Sequence, residues 1–526
     1  MSSKYFTPKF LLISIIFLGA FLRFYKLDWG EGLFAHPDEY HIVISVNQLS
    51  FPNQMHPHFF SYGTVIIYLN YFTRLLFENF NPFIIGRLYS AIFSSLTILI
   101  IFLISRIVLE KKYALISAFL VAITPGLIQQ AHFATPESAL TFFIFTSLLF
   151  LLLFLKNSKL KYLVLSAIFL GLGTGTKIVA GLFLPPFFLA IFFKYWRLPP
   201  KLLLYLFTGV LISLIIFALT SPFVFLDYPA WRGNFNYENS VARGTDIVFY
   251  TRQFIDTVPI LFQIEKILPY ALGPSLVIFS ILGIIFLIFN LLKKFRLDLL
   301  IIFLSFLCLF LPNSFLFAKW TRFIAPAFPF FSIFAAITLQ QLKNRFLTSL
   351  LLIPTALMSL AFFKIYINQD VRISADKWMQ AEIPKNSLIL VEGGNTVDLP
   401  ISGYQKKSID FYSLEDNAQV RFDIAQTLET SDYFLIQSRR LFLNHQRLPT
   451  LYPKTAKFYN SLFNGSLGFE EIKEFHSYPS LPFIGSIIEF PDELAEETWS
   501  VFDHPVIRVF QKKVKLTRGD NEKILE

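Results

Sequence analysis

Residues 83–108 read FIIGRLYSAIFSSLTILIIFLISRIV, with Arg87 and Arg106 the only charges. As a helix this stretch is about 39 Å long, more than the roughly 30 Å of bilayer hydrocarbon. It reads as a membrane span. Comparable apolar runs lie near residues 10–25, 113–130, 138–155, 162–176, 178–193, 202–220, 270–292, 299–317, 324–339 and 346–363, which makes eleven expected spans. Composition agrees: 54% hydrophobic residues, 16% charged residues and a mean hydropathy of +0.56 exclude a water-soluble globule of 526 residues. The expected fold class is a polytopic α-helical membrane protein.

The net charge of +10 does not indicate a nucleic-acid partner, because the basic residues come in twos and threes between apolar runs, as membrane-surface anchors do. The single cysteine, Cys308, lies inside an apolar run, so neither an intramolecular disulfide nor a thiolate zinc site can form. Met1–Phe10, with Lys4 and Lys9 ahead of Leu11–Ala20, resembles a signal sequence, but no small-residue cleavage motif follows. It is expected to stay as the first span.

Ser61–Glu78 carries Asn70, Thr73 and Arg74 in its apolar pattern and reads as either a span or an interfacial helix. The positive-inside rule favours the interface. One set of connections then holds Lys4 and Lys9; Lys111 and Lys112; Lys156, Lys159 and Lys161; Lys194, Arg197 and Lys201; Lys293, Lys294 and Arg296; and Lys343 and Arg345. The opposite connections hold only Lys26, Lys177, Lys319 and Arg322. The expectation is a multi-pass plasma-membrane protein with a cytoplasmic amino terminus. Its external loops would span residues 26–82 and 221–265. Residues 1–363 form the membrane domain, and residues 364–526 a small extracytoplasmic α/β domain. The latter has a helix near Ser374–Glu382, strands at Ser387–Glu392, Tyr433–Gln437 and Val506–Gln511, and no catalytic signature.

All candidate site residues then share the external face. His36-Pro37-Asp38-Glu39-Tyr40 places two acids beside the membrane, where charge is expensive and marks a substrate path, although proline followed by acids also begins an ordinary helix. His132-Phe133-Ala134-Thr135-Pro136-Glu137 raises a further carboxylate, again readable as a helix N-terminal acid. Converging acids can do acid–base work, orient a sugar hydroxyl or hold a divalent cation, the one cofactor the sequence admits.

Gly171-Leu172-Gly173-Thr174-Gly175-Thr176-Lys177 reads as a turn sunk below the membrane surface, its glycines opening backbone N–H groups to an anion beside Lys177; snorkelling of Lys177 is the plain alternative. Lys319 and Arg322 suit a phosphate or a membrane-edge anchor. His36, His41, His56 and His58 cluster in one loop without the spacing of a metal motif, and no metal ligand is assigned. Asp227, Tyr228, Trp231 and Arg243 are candidates for lining a substrate cavity.

As an ordered set these motifs resemble the glycosyltransferase-C superfamily, in the branch of protein O-mannosyltransferases and lipid A aminoarabinose transferases. They comprise the Asp-Glu pair, the acid after Ala-Thr-Pro, the Gly-rich Thr-Lys segment and Arg322-Phe323 before Pro326. Ser374-Ala375-Asp376-Lys377-Trp378 and Phe502-Asp503-His504-Pro505 also look like the external tail of bacterial members. The resemblance implies a sugar donor on polyprenyl or dolichyl phosphate and an acceptor hydroxyl on a protein, lipid or cell-wall glycan. It implies Asp38 as general base supported by Glu39, Glu137 in place of the family's usual aspartate, and Lys177 and Arg322 on the lipid phosphate. The transfer would invert the anomeric centre. Cations preorganised around a leaving phosphate fit that chemistry. Three other readings are an oligosaccharide ligase using a lipid diphosphate, a transporter or flippase of lipid-linked sugars, and a noncatalytic assembly or lipid-binding protein. A transporter would show inverted halves and midplane polar residues, and neither is visible.

Overall fold

The computed structural model describes residues 8–77, 80–394, 399–401 and 403–526; Lys4 and Glu78, used above, lie outside them. Two compact units emerge. One comprises Met1–Leu27, Asp38–Asp246 and Asp256–Phe363; the other comprises Asp28–Pro37, Ile247–Ile255 and Lys364–Glu526. The grouping of the two loop pieces 28–37 and 247–255 with the C-terminal residues is not legible in the sequence.

The first unit opens with ten α-helices: α1 (Pro8–Phe24), α2 (Pro37–Gln48), α3 (Val65–Leu76), α4 (Pro82–Val108), α5 (Lys111–Ala122), α6 (Pro125–Ala131), α7 (Glu137–Asn157), α8 (Leu160–Thr176), α9 (Leu184–Tyr195) and α10 (Pro199–Thr220). Long helices follow at Pro274–Lys293, Leu297–Phe315, Phe328–Leu342 and Arg345–Ile367. Each of the eleven apolar runs is built as helix. Among the described residues eight helical stretches have the length and apolarity to cross a membrane, counting α9 with the turn before it as Ile178–Tyr195 and the last but one as Thr321–Leu342, or nine if α5 and α6, bent by 54°, form one broken span. The other two runs are α1 and α8, of 17 residues each. α3 has 12 residues, about 18 Å, too short to cross.

Burial grades across this unit as in a bundle facing lipid. The apolar window of Thr321–Leu342 is 89% buried and that of α7 78%, whereas α10 is 17% buried and presents Leu203, Phe207, Leu214 and Leu219 outward. An exposed apolar helix of 22 residues is intelligible only against hydrocarbon.

The α5–α6 break has a local cause. Pro125 cannot donate a backbone hydrogen bond and disfavours helix at Thr124, which is extended. The carbonyls freed at the end of α5 are taken by the fully buried Arg23 of α1. Its Nη1 donates to Ala122 O at 2.7 Å and its Nη2 to Val121 O at 2.9 Å, a cation at the negative end of a helix dipole.

The glycine-rich segment corrects the expectation of a turn. Gly171, Gly173 and Gly175 lie inside α8, which continues to Thr176. Their backbone N–H groups serve the helix, and the missing side chains admit neighbours. A Cβ on Gly171 would meet Ser213 O at 2.6 Å, and one on Gly175 would meet Thr220 Oγ1 at 2.2 Å. Close packing of α8 on α10 outweighs the low helix propensity of glycine.

In the second unit, strands β1 (Leu388–Glu392), β2 (Gln405–Ile409), β3 (Tyr433–Ile436), β4 (Phe469–Phe475), β5 (Ser480–Phe483), β6 (Ser486–Glu489) and β7 (Ile507–Lys512) form a five-stranded sheet of order β2-β1-β3-β7-β4 and a β5-β6 hairpin. β1 runs parallel to β2 and β3, while β7 is antiparallel to β3 and β4. Both faces are covered, with period-2 alternation. Leu390, Phe434, Ile436 and Phe510 join one core with Ile424, Leu428 and Phe458, and Ile389, Val391, Leu435 and Val509 join the other with Val371, Ala375 and Met379. The helix Val371–Glu382 starts where Asp370 accepts from the Arg372 N–H at 2.8 Å.

Candidate active site

α2 begins at Pro37, so Asp38 and Glu39 occupy its first turn, where the helix dipole favours carboxylates. Neighbouring helical residues point roughly 100° apart, and the two acids diverge. Glu39 is fully buried. Arg87 Nε donates to its Oε1 at 2.9 Å, Arg87 Nη2 to its Oε2 at 3.2 Å, and the Ala134 N–H to Oε1 at 2.7 Å. Arg87 also donates to Leu27 O at 2.8 Å. Instead of sharing a site with Asp38, as expected, Glu39 ties the start of α2 to α4 and to the 132–136 loop.

Asp38 turns the other way. The Tyr62 hydroxyl donates to its Oδ2 at 2.5 Å, and Arg322 Nη1 ion-pairs with the same oxygen. Lys177 Nζ donates to Glu137 Oε1 at 2.9 Å and lies 4.9 Å from the Tyr62 ring centroid and 5.5 Å from that of Phe323. Glu137, Lys177, Tyr62, Asp38 and Arg322 therefore form one continuous cluster, assembled from the ends of α2, α7 and α8, the 61–64 loop and the start of the helical stretch Thr321–Leu342. Two acids that also begin helices and two cations from segments far apart in sequence share one end of the bundle. Glu137 is 1% exposed, whereas the side chains of Asp38, Arg322 and Lys177 retain 15%, 21% and 13% exposure, so the cluster has a buried floor and an open side. Glu137 Oε2 and Arg322 Nε are buried without a hydrogen-bond partner.

Tyr62 was not visible as a candidate in the sequence. Its loop is fixed by backbone bonds: the Gly63 N–H donates to Thr176 O at 3.0 Å, the Thr64 N–H to Ser221 Oγ at 3.1 Å, and Ser221 Oγ to Gly175 O at 3.0 Å. A Cβ on Gly63 would lie 2.0 Å from Gly175 O, so glycine is required there. Burial, partly opposed by Arg322 and reinforced by Asp38 and Glu137, holds the Tyr62 phenol pKa well above 10. It stays a hydrogen-bond donor at neutral pH.

The other candidates lie elsewhere. Lys319 is buried and donates to Thr257 Oγ1 at 3.1 Å and Phe317 O at 3.0 Å, and burial lowers its pKa. Arg243 is exposed at the end of the helix Tyr228–Arg243 and touches none of the five cluster residues. His36 belongs to the second unit, where its ring sits 4.3 Å from that of Phe502. Among the described residues no group of three or more His, Cys, Asp or Glu could hold a metal ion. The loop histidines have other partners: His56 Nε2 pairs with Asp227 at 3.1 Å, His58 Nε2 with Gln54 Nε2 at 2.6 Å, and His41 stacks on Phe59.

Residues 63–223 match the family model described as dolichyl-phosphate-mannose-protein mannosyltransferase. That segment includes Glu137 and Lys177 but not Asp38 or Arg322. No curated protein matches the chain. Among solved structures, the oligosaccharyltransferase AglB from Archaeoglobus fulgidus, in complex with an inhibitory peptide and a dolichol-phosphate, is similar with a TM-score of 0.53 and 15% identity over 86% of this chain and 72% of its own. ArnT from Cupriavidus metallidurans bound to undecaprenyl phosphate gives a TM-score of 0.49 at 16% identity, covering 70% of this chain and 72% of its own. The S. cerevisiae Pmt1-Pmt2 complex bound to its sugar donor gives 0.35 at 17% identity, covering 44% and 35%. The chain thus has the glycosyltransferase-C fold of a polytopic membrane protein, and within it residues 63–223 fit the model of the dolichyl-phosphate-mannose-protein mannosyltransferases.

Proposed function

We propose that the protein is a membrane glycosyltransferase that moves a sugar from a polyprenyl-type phosphate to an acceptor hydroxyl on the extracytoplasmic face, with Asp38 as general base. The observation that carries this reading is the joining of the Asp38–Arg322 and Glu137–Lys177 pairs through Tyr62 into one cluster. A noncatalytic scaffold has no need of two cations beside an accessible carboxylate; a reaction with a phosphate leaving group does.

Arg322 and Lys177 swing from their carboxylate partners onto the donor phosphate, and Arg322 Nε gains the partner it lacks. Asp38, released from Arg322 but still held by the Tyr62 hydroxyl, accepts the acceptor's proton. The acceptor oxygen forms a bond to the anomeric carbon as the carbon–oxygen bond to phosphate breaks. The electron pair leaves with the lipid phosphate, and the configuration inverts. The cations stabilise the charge that grows there, and the base contributes about 10² to 10⁴ in rate. Glu39 acts as a positioning residue through Arg87.

The test is incubation of the detergent-purified protein and a cell-envelope extract with radiolabelled polyprenyl-phosphate sugars and, in parallel, with radiolabelled polyprenyl-diphosphate oligosaccharides. Label moving into protein, lipid or glycan supports the reading and identifies the acceptor. Label moving only from diphosphate-linked oligosaccharides makes the protein a ligase. No transfer from any lipid-linked sugar, by protein that still binds them, contradicts both.

A further inference from the structure

The helix Tyr228–Arg243 carries an aromatic stripe that nothing in the transfer reaction uses. Tyr228, Trp231 and Phe235, spaced to share one helix face, pack in sequence, Tyr228 tilted against Trp231 and Trp231 stacked on Phe235, with centroids 5.6 Å and 5.3 Å apart. Tyr228 is 47% exposed and Phe235 39%. Beside the stripe the helix is tied to the protein: Val241 is buried, Glu238 accepts from Ser61 Oγ at 2.7 Å, and Ala242 O accepts from the Ala318 N–H at 3.1 Å. The stripe also continues a surface already assigned to hydrocarbon. Near the end of α10 Leu219 is 71% exposed, and Phe225 and Leu226 are 53% and 75% exposed immediately before the helix.

The geometry points to a lipid surface as the partner of this face: Tyr228–Arg243 is an interfacial helix whose aromatic stripe sits among the headgroups where α10 emerges. Tyrosine and tryptophan favour that layer, having an apolar body and a polar tip. Arg232 and Arg243 flank the stripe with charge suited to anionic headgroups. A water-facing stripe of this kind would be an aggregation hazard, and a protein-facing one would require a second chain. Seated in lipid, the helix brings headgroups to an element that also holds Ser61, the neighbour of Tyr62.

The test uses the full-length protein in liposomes of mixed neutral and anionic phospholipid. Cys308 is replaced by alanine and single spin labels are placed at Leu226→Cys, Phe235→Cys, Leu211→Cys on α10 and Asn236→Cys on a polar face of the helix. Collision with oxygen and with a nickel chelate is measured at each. The expected result is that the labels at 226 and 235 show an oxygen-to-nickel collision ratio between those at 211 and 236, clearly above that at 236. Labels at 226 and 235 that are as nickel-accessible as 236, or closed to both reagents by a protein contact, would overturn the proposal. Neither outcome depends on whether sugar is transferred.

Discussion

Lys177→Met leaves Glu137, 1% exposed, as a buried charge without its cation. At the observed 2.9 Å and an effective permittivity of about 20, the Coulomb attraction lost is on the order of 6 kcal/mol. Desolvation of the pair offsets part of that, and breaking such a pair by removing one partner costs about 3–5 kcal/mol. Glu137→Gln on its own strands Lys177, but Lys177 keeps 13% exposure and its contact with the Tyr62 ring, so the cost is smaller. The double variant removes both charges and is expected within about 1 kcal/mol of the wild type, since replacing a whole buried pair is often neutral. Thermal unfolding of the four proteins in detergent, followed by loss of the monodisperse fraction, closes the cycle. Sugar transfer should behave differently, staying low in both single variants and in the double one, because restored packing does not restore a cation for the donor phosphate. Additive stability losses with no coupling would refute the buried-pair reasoning. A double variant with full turnover would remove Lys177 from the mechanism.

Tyr62→Phe keeps the ring under Lys177 but deletes the donor to Asp38; a hydrogen bond to a charged group is worth about 1.5–3 kcal/mol, so transfer should fall about ten- to hundred-fold with folded yield unchanged. Gly175→Ala drives a methyl to 2.2 Å from Thr220 Oγ1 and should cost about 1–3 kcal/mol of thermal stability, whereas Gly181→Ala, with open space around it, should be silent in the same assay. In the second unit, burial works against the His504 imidazolium, but Asp492 at 2.9 Å and Asp503 at 2.5 Å outweigh it and raise the pKa to about 10. A histidine whose folded pKa is raised gives its full stabilisation below its unfolded value near 6.5, and loses it as pH rises toward 10, at about 1.4 kcal/mol per pH unit. Proteolytic resistance of this unit should therefore decline over that window, and His504→Gln should flatten the profile.

Much of this was legible in the sequence because the bilayer imposes long apolar runs, and each run became a helix. The pairing of acids with cations at one end of the bundle was also readable in outline, since Asp38, Glu137, Lys177 and Arg322 all fall at helix ends. What could not be read depends on partners far away in sequence. Glu39 looks equivalent to Asp38 until its partner Arg87, inside the α4 run, is known to be in reach. The glycines of α8 read as a turn because their local propensity favours one, and only the approach of α10 shows why they are helical. Tyr62 sat in the one stretch whose class was ambiguous. His36 takes its place from Phe502, more than four hundred positions later, which no local pattern encodes.

The most direct measurement of the central claim is single-turnover transfer by purified Asp38→Asn, with radiolabelled polyprenyl-phosphate sugar and the acceptor fraction identified for the wild type. Asparagine preserves the size of the side chain and can still hydrogen-bond the Tyr62 hydroxyl, but it cannot take up a proton. The account predicts normal insertion and donor binding with transfer lowered by about 10² to 10⁴. Wild-type turnover by this variant would contradict it.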